Sequence, residues 1–193
     1  MDFKELVTRT RSYRRFKQGE PVAMETLKAL VDLARQTASA ANKQPLKYIL
    51  STSPATNAAI FPALGWAAYM PHWAGPAEGE RPTGYVIICL DTSVADTPHC
   101  DQGIVSQTIM LGATEKGLGG CIMGSVNRDK LRAALDIPQG LDILLVLALG
   151  VPGETVVMDP VGEDGGIKYW RDDGGVHHVP KRALDEIIVA GYE

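Results

Sequence analysis

The run "DILLVLALGV", Asp142 to Val151, is the longest apolar stretch in the chain. It falls well short of the roughly 20 residues a membrane-spanning helix needs, and it has the length of a strand. It reads as a strand buried on both faces, and such a strand requires packing layers on both sides. "YVIICLD" (Tyr85 to Asp91) and "GCIMGSV" (Gly120 to Val126) read as further buried strands, and "KYILSTS" (Lys47 to Ser53) as a fourth strand. A central sheet is therefore the first constraint on the fold.

The segments between these strands carry helical spacing. "FKELVTRTRS" reads as a first helix with Asp2 at its N-cap. "VAMETLKALVDLARQTA" reads as a second, with Leu27, Leu30, Val31 and Ala34 on one face. "ASAANKQPL" breaks that pattern and reads as a loop, while "PATNAAIFPALGWAAYM" is helical in part, interrupted at Pro62 and Gly65. "DQGIVSQTIMLGATEKG" is a long apolar helix ended by Gly117, and Asn127 caps "RDKLRAALD". The tail is expected to turn at Asp172–Gly175 and to form a final helix from about Pro180. Helices alternating with buried strands place the chain in the α/β or α+β class. Its 193 residues suit one domain, 1–193.

"GLGGCIMG" invites a dinucleotide-binding reading, which needs a strand before the glycines and a helix after them. Here a helix precedes and a strand follows, and Ile122 stands where the last glycine belongs, so a Rossmann site is rejected. Cys89, Cys100 and Cys121 are too few for a disulfide framework, and two of them lie in strand-like runs. His177 and His178 are adjacent in an extended segment and point to opposite faces, so a shared metal ion is not expected. The N-terminus lacks the apolar stretch of a signal peptide, and a cytoplasmic location with no membrane association is expected.

The anomaly is electrostatic. "TRTRSYRRFKQG", Thr8 to Gly19, gathers Arg9, Arg11, Arg14 and Arg15 in a chain of formal net charge −4. Nucleic-acid binding is disfavoured, because backbone-phosphate binders usually carry an excess of Lys and Arg. Two readings remain: a solvated helix end, where arginines favour the dipole, and a pocket for a small anion. If the helix unwinds near Ser12, Arg11 and Arg14 can converge on one anion.

"RSYRRF" resembles the opening motif of the nitroreductase-like FMN-dependent oxidoreductases, commonly RRSxRxF. The resemblance continues in order through "ASAANKQPL", "GERPTGYVIICLD", "DQGIVSQTIMLGATEKGLGGCIMGSV" and "VPKRALDEI", and so covers nearly the whole chain. Thr10 departs from the family's first arginine, Leu46 from a frequent tryptophan, and Ser125-Val126 from the usual Gly-Phe.

The resemblance implies an α+β sandwich with a mainly antiparallel central sheet flanked by helices, built as an interlocked homodimer with FMN at the subunit interface. It implies that Arg11, Ser12 and Arg14 hold the phosphate, ribityl chain or pyrimidine edge, with Arg14 near N1/O2, and that Lys181 and Arg182 approach the phosphate. Ser39, Asn42 and Gln44 would reach the flavin of the other subunit, and Gly124 and Ser125 would set backbone N–H groups near N5 and O4. Without the family, Asn42 and Gln44 read equally well as satisfying loop backbone, and Gly124 as a strand-end bend. The implied activity is NAD(P)H-dependent reduction of a nitro compound, quinone or similar acceptor by ping-pong hydride transfer. The alternatives are a flavin-handling or redox-sensing protein, or a dehalogenase or dehydrogenase on the same scaffold. Trp66, Tyr69 and Trp73 are either walls of the acceptor site or a cover for the core.

Overall fold

The computed structural model describes residues 1–193, and its centre is a four-stranded antiparallel sheet. Strands β1 (Leu46–Ser51), β2 (Gly84–Asp91), β3 (Gly119–Met123) and β4 (Leu141–Gly150) run in the order β1-β2-β4-β3. The two longest strands, β2 and β4, take the central positions, where both faces are covered.

One layer comprises α2 (Met24–Ala34) and α4 (Asp101–Glu115). Leu27, Leu30 and Ala34 of α2 and Val105, Ile109, Met110 and Ala113 of α4 pack there on Val86, Ile88, Leu147 and Leu149. Gly112 lets the two helices approach, since a Cβ there would lie 2.9 Å from the Leu30 side chain. On the opposite face α3 (Pro54–Ile60) and α5 (Arg128–Leu135) contribute Ile60 and Leu131, which pack with Tyr85, Ile87, Val146 and Ala148. A β-bulge lies where the register of β2 against β4 slips between Ile88 and Cys89: Ile88 pairs with Leu145 and Cys89 with Ile143. Leu144 is the surplus residue, and it shifts the alternation so that Ile143 joins the α5 side.

α1 (Phe3–Arg9) begins as the sequence predicts, with the Asp2 carboxylate accepting from the Glu5 N–H at 2.7 Å. It ends earlier than expected. Thr10 is extended, and Ser12 forms a parallel bridge with Gly120, adding the segment to the edge of β3. Asn127 accepts from the Lys130 N–H at 3.0 Å and caps α5, and Gly117, at φ +76°, follows the end of α4.

The tail differs from expectation. β5 (Val156–Pro160), β6 (Trp170–Arg171) and β7 (His177–Lys181) form a second sheet in the order β5-β7-β6, with β7 parallel to β5 and antiparallel to β6. The turn at Asp172–Gly175 is present, closed by a Gly175 N–H to Asp172 carbonyl bond of 3.0 Å. The helix expected from Pro180 is not. Pro180 continues β7 opposite Asp159, beyond the point where β6 stops pairing, so its missing N–H costs no ladder bond. Only α6 (Leu184–Ile187) follows.

Candidate active site

Where the chain leaves α1, it lays a groove between its own edge, α4, β3 and β7. Arg11, Ser12 and Arg14 line one side and Lys181 another, with Gln107 and Met110 of α4, Ile122 of β3 and Tyr169 completing the walls. The volume is about 310 Å³, within the range of small-molecule and cofactor sites. Ile122 is exposed here while its neighbours Cys121 and Met123 are buried, so the groove lies on one face of β3. Burial raises the pKa of the Cys121 thiol, which keeps it a neutral part of the core behind that wall.

The cations of the N-terminal segment sort into two groups. Arg9 pairs with Glu5, Arg15 with Glu80 at 3.3 Å and Lys17 with Glu20. Arg11, Arg14 and Lys181 have no carboxylate within salt-bridge distance. Three uncompensated positive charges therefore face one groove in an acidic chain. Arg11 also serves the helix end: its Nε donates to the Thr10 carbonyl and its Nη2 to the Val7 carbonyl. Arg11 thus closes the helix end and lines the groove.

Arg14 is held more elaborately. Its backbone N–H, and that of Arg15 at 3.0 Å, donate to Oε1 of Glu154. Oε2 of Glu154 accepts from Arg171 at 2.7 Å, with both side chains in the interior. The Arg14 guanidinium lies 4.6 Å from the centre of the Tyr169 ring, and its Nη1 is 3.2 Å from Nε2 of His177. Burial first, and the Arg14 charge second, lower the His177 pKa to about 4, so this imidazole is neutral near pH 7. His178 points the other way. It stacks on Trp170, and its Nδ1 is 2.7 Å from Asp159, the main cause of its raised pKa.

The other expected site residues fall elsewhere. Arg182 does not join the groove: Val179 and Lys181 face it, so strand alternation turns Arg182 away, and its Nη1 pairs with Glu186 at 3.3 Å. Lys181 and Arg182 also do not open a helix. Ser39, Asn42 and Gln44 gather at the other end of α4. Ser39 Oγ donates to Asp101 at 2.6 Å and accepts from the Gln44 N–H, and Gln44 Nε2 donates to the Asn42 side chain at 3.1 Å. Asp101 and Met110 are nine residues apart, roughly 14 Å along the helix axis. Within one chain this loop and the arginine groove are separate.

Gly124 and Ser125 follow β3, four residues beyond the Ser12–Gly120 bridge, roughly 13 Å along the strand. Gly124 is exposed on the same face as Ile122, and a Cβ there would meet nothing closer than 3.8 Å. Packing does not require this glycine; its effect is to leave backbone uncovered. The Ser125 carbonyl accepts from the Gly65 N–H.

Trp66 belongs to the core, and Trp73 packs against it under the Arg171 guanidinium. Tyr69 alone of the three aromatics approaches the groove, 4.9 Å from Tyr169. Thr10, at the place of the family's first arginine, is buried, and its hydroxyl meets Thr114 of α4 at 3.0 Å. Tyr169, His177 and Glu154 were not singled out as site residues from the sequence. The second sheet brings His177 and Tyr169 to Arg14, and the bridge between Phe16 and Pro152 brings Glu154.

The fold is an α+β sandwich with a cationic groove at the edge of its sheet. The model of the nitroreductase family matches residues 7–69 and 86–151, well over half of the chain, and the chain belongs to that family. An oxygen-insensitive NADPH nitroreductase of Salmonella typhimurium is 27% identical over 98% of this chain and 78% of its own. A nitroreductase family protein from Streptococcus pneumoniae TIGR4 superposes with a TM-score of 0.71 at 16% identity, over 98% of this chain and 100% of that one. An FMN-dependent nitroreductase from Clostridium difficile R20291 superposes with a TM-score of 0.64 at 18% identity, over 77% and 87% of the two chains.

Proposed function

We propose that this chain is an FMN-dependent NAD(P)H oxidoreductase that reduces a nitro compound, quinone or similar flat conjugated acceptor. The observation that carries the reading is the set of three cations, Arg11, Arg14 and Lys181, left without carboxylate partners around one groove beside the exposed Ser12. A phosphate supplies the missing charge, and guanidinium forks and a hydroxyl suit its oxygens. Ile122 and Tyr169 give the groove an apolar and an aromatic wall for a planar ring. Gly124, on the same face of β3, presents backbone free of a side chain. The names of the Salmonella and Clostridium relatives point the same way.

FMN, when bound, would supply reversible two-electron chemistry between a nicotinamide donor and the acceptor. The residues of this chain bind and orient. Arg11, Ser12 and Lys181 hold the phosphate. Arg14, fixed by its neighbours, directs positive charge into the groove and favours developing negative charge there. No side-chain nucleophile or metal is required of the protein.

The loop carrying Ser39, Asn42 and Gln44 serves the groove of a second copy. Its distance from the groove of its own chain supports this. So do Ile104 on the outer face of α4 and Leu184, Ile187 and Val189 in the tail, all exposed in the single chain. Sedimentation velocity tests the assembly: a dimer is expected, and a monodisperse monomer refutes it.

The activity has its own test. Purified protein should be yellow and release FMN on denaturation. Under anaerobic conditions, NADH or NADPH should bleach it, and a nitroaromatic or quinone should restore the colour. Flavin that stays oxidised under excess NADH and NADPH refutes the reductase reading and leaves a flavin-handling role. Protein that binds no FMN refutes both.

A further inference from the structure

We propose that His177 is a positioning residue: its Nε2 accepts a hydrogen bond from Nη1 of Arg14 and so fixes where that guanidinium points in the groove. The inference rests on the reading of the groove as the FMN site.

A guanidinium has donors only, so the 3.2 Å contact between Arg14 Nη1 and His177 Nε2 has one polarity. Nε2 accepts, and the proton of the neutral imidazole resides on Nδ1. That Nδ1 is buried and has no partner. The ring is completely buried, so it bears the cost of one unsatisfied donor in the interior. The other nitrogen makes the one side-chain bond of this ring, and that bond is to Arg14. An imidazolium there would turn a second N–H toward the guanidinium and repel it.

The surrounding groups leave the imidazole little choice. Arg171 occupies the cross-strand position beside His177 but commits its Nη2 to Glu154. Glu154 in turn holds the backbone of Arg14 and Arg15. His178 faces away to Asp159 and Asp172. The Tyr169 ring lies 5.3 Å from His177 and 4.6 Å from the Arg14 guanidinium, which makes His177 and Tyr169 two sides of one cradle. The backbone of Arg14 is anchored by Glu154 and its charge is aimed by His177.

The experiment measures the Kd of apoprotein for FMN by flavin fluorescence quenching in wild type, R14A, H177F, H177Q and R14A/H177F. H177F keeps the ring volume and removes the acceptor, and H177Q restores an acceptor oxygen. H177F is expected to weaken FMN binding about tenfold, the scale of one hydrogen bond to a charged group. H177Q should recover most of it, and R14A/H177F should be no weaker than R14A alone. A long-range ¹⁵N–¹H spectrum of histidine-labelled protein should report His177 as the Nδ1–H tautomer. Wild-type affinity in H177F, or a loss in H177Q as large as in H177F, overturns the proposal. So does an Nε2–H tautomer. If R14A itself binds FMN like wild type, the placement of Arg14 in the flavin site is wrong and the proposal falls with it. If R14A weakens binding while H177F does not, the site stands and only the role of His177 is refuted.

Discussion

Glu154 offers the most demanding test of the packing around the groove. The Glu154→Ala change removes a carboxylate whose side chain is 2% exposed and that of its partner Arg171 9% exposed. Three donors lose their acceptor together: the Arg171 guanidinium and the backbone N–H groups of Arg14 and Arg15. Breaking a buried ion pair from one side costs ~3–5 kcal/mol, because the remaining charge is stranded away from water. For a chain of this size each kcal/mol moves the thermal midpoint by ~2–4 °C. The expected result is a loss of ~4 kcal/mol, or roughly 8–16 °C, measured by urea and thermal unfolding followed by circular dichroism at one protein concentration. R171M should cost less than Glu154→Ala, since its carboxylate keeps two N–H donors. The double variant E154A/R171M should fall short of the sum of these two singles by about 2 kcal/mol, the coupling expected of contacting charges. A loss under about 1 kcal/mol for Glu154→Ala would refute the argument, by showing that water or another group satisfies Arg171 in its place.

Further outcomes follow from other parts of the molecule. The two adjacent histidines set opposing pH dependences. With a folded pKa of about 4 against an ordinary 6.5, His177 makes the protein lose stability as pH falls between those values, and H177F should flatten that limb in pH-dependent urea melts. His178, raised by Asp159, adds stability that is complete below 6.5 and is lost as pH climbs past its raised folded pKa, so H178Q should remove that alkaline slope. Gly120 within β3 and Gly124 just after it should respond in opposite ways. A Cβ on Gly120 would lie 2.6 Å from the Ala148 carbonyl, so G120A should lower the thermal midpoint sharply; G124V should leave it within a few degrees yet abolish FMN retention. K181A should weaken FMN binding about tenfold or more, the worth of a charged contact, whereas R182A should leave the Kd unchanged.

The sheet and its two helical layers could be read from the sequence because burial there is periodic. "DILLVLALGV" had to be central, and Leu27, Leu30 and Ala34 had to face it. Half of the groove was visible for a different reason: Arg11, Ser12 and Arg14 are clustered in sequence, and a charge excess in an acidic chain requires explanation. The remainder comes from residues whose proximity the second sheet and the bridge between Phe16 and Pro152 create. "VPKRALDEI" has helical composition at its end, but pairing with β5 extends the strand through Lys181. That pairing decides which of two neighbouring cations faces the groove, a matter of strand phase that composition does not contain. His177 suggested a metal or nothing, because its partner lies 163 positions away. The bulge at Leu144 escaped for a related reason: a continuous apolar run conceals where its alternation changes phase.

That surplus residue ties chain length to chemistry. The Arg128 guanidinium grips the carbonyls of Ile143 and Leu144 at 2.8 and 3.3 Å, so the irregularity is held from outside the sheet. Excising Leu144 would remove the bulge, keep Ile143 opposite Cys89 and leave Leu141, Asp142 and Ile143 on their present faces. A functional descendant lacking that residue would therefore keep its core pattern and need only another partner for the Arg128 donor that now reaches the Leu144 carbonyl. Such a single-residue gap is the change of length that β4 can absorb, and it marks where relatives of this chain are expected to differ in strand length.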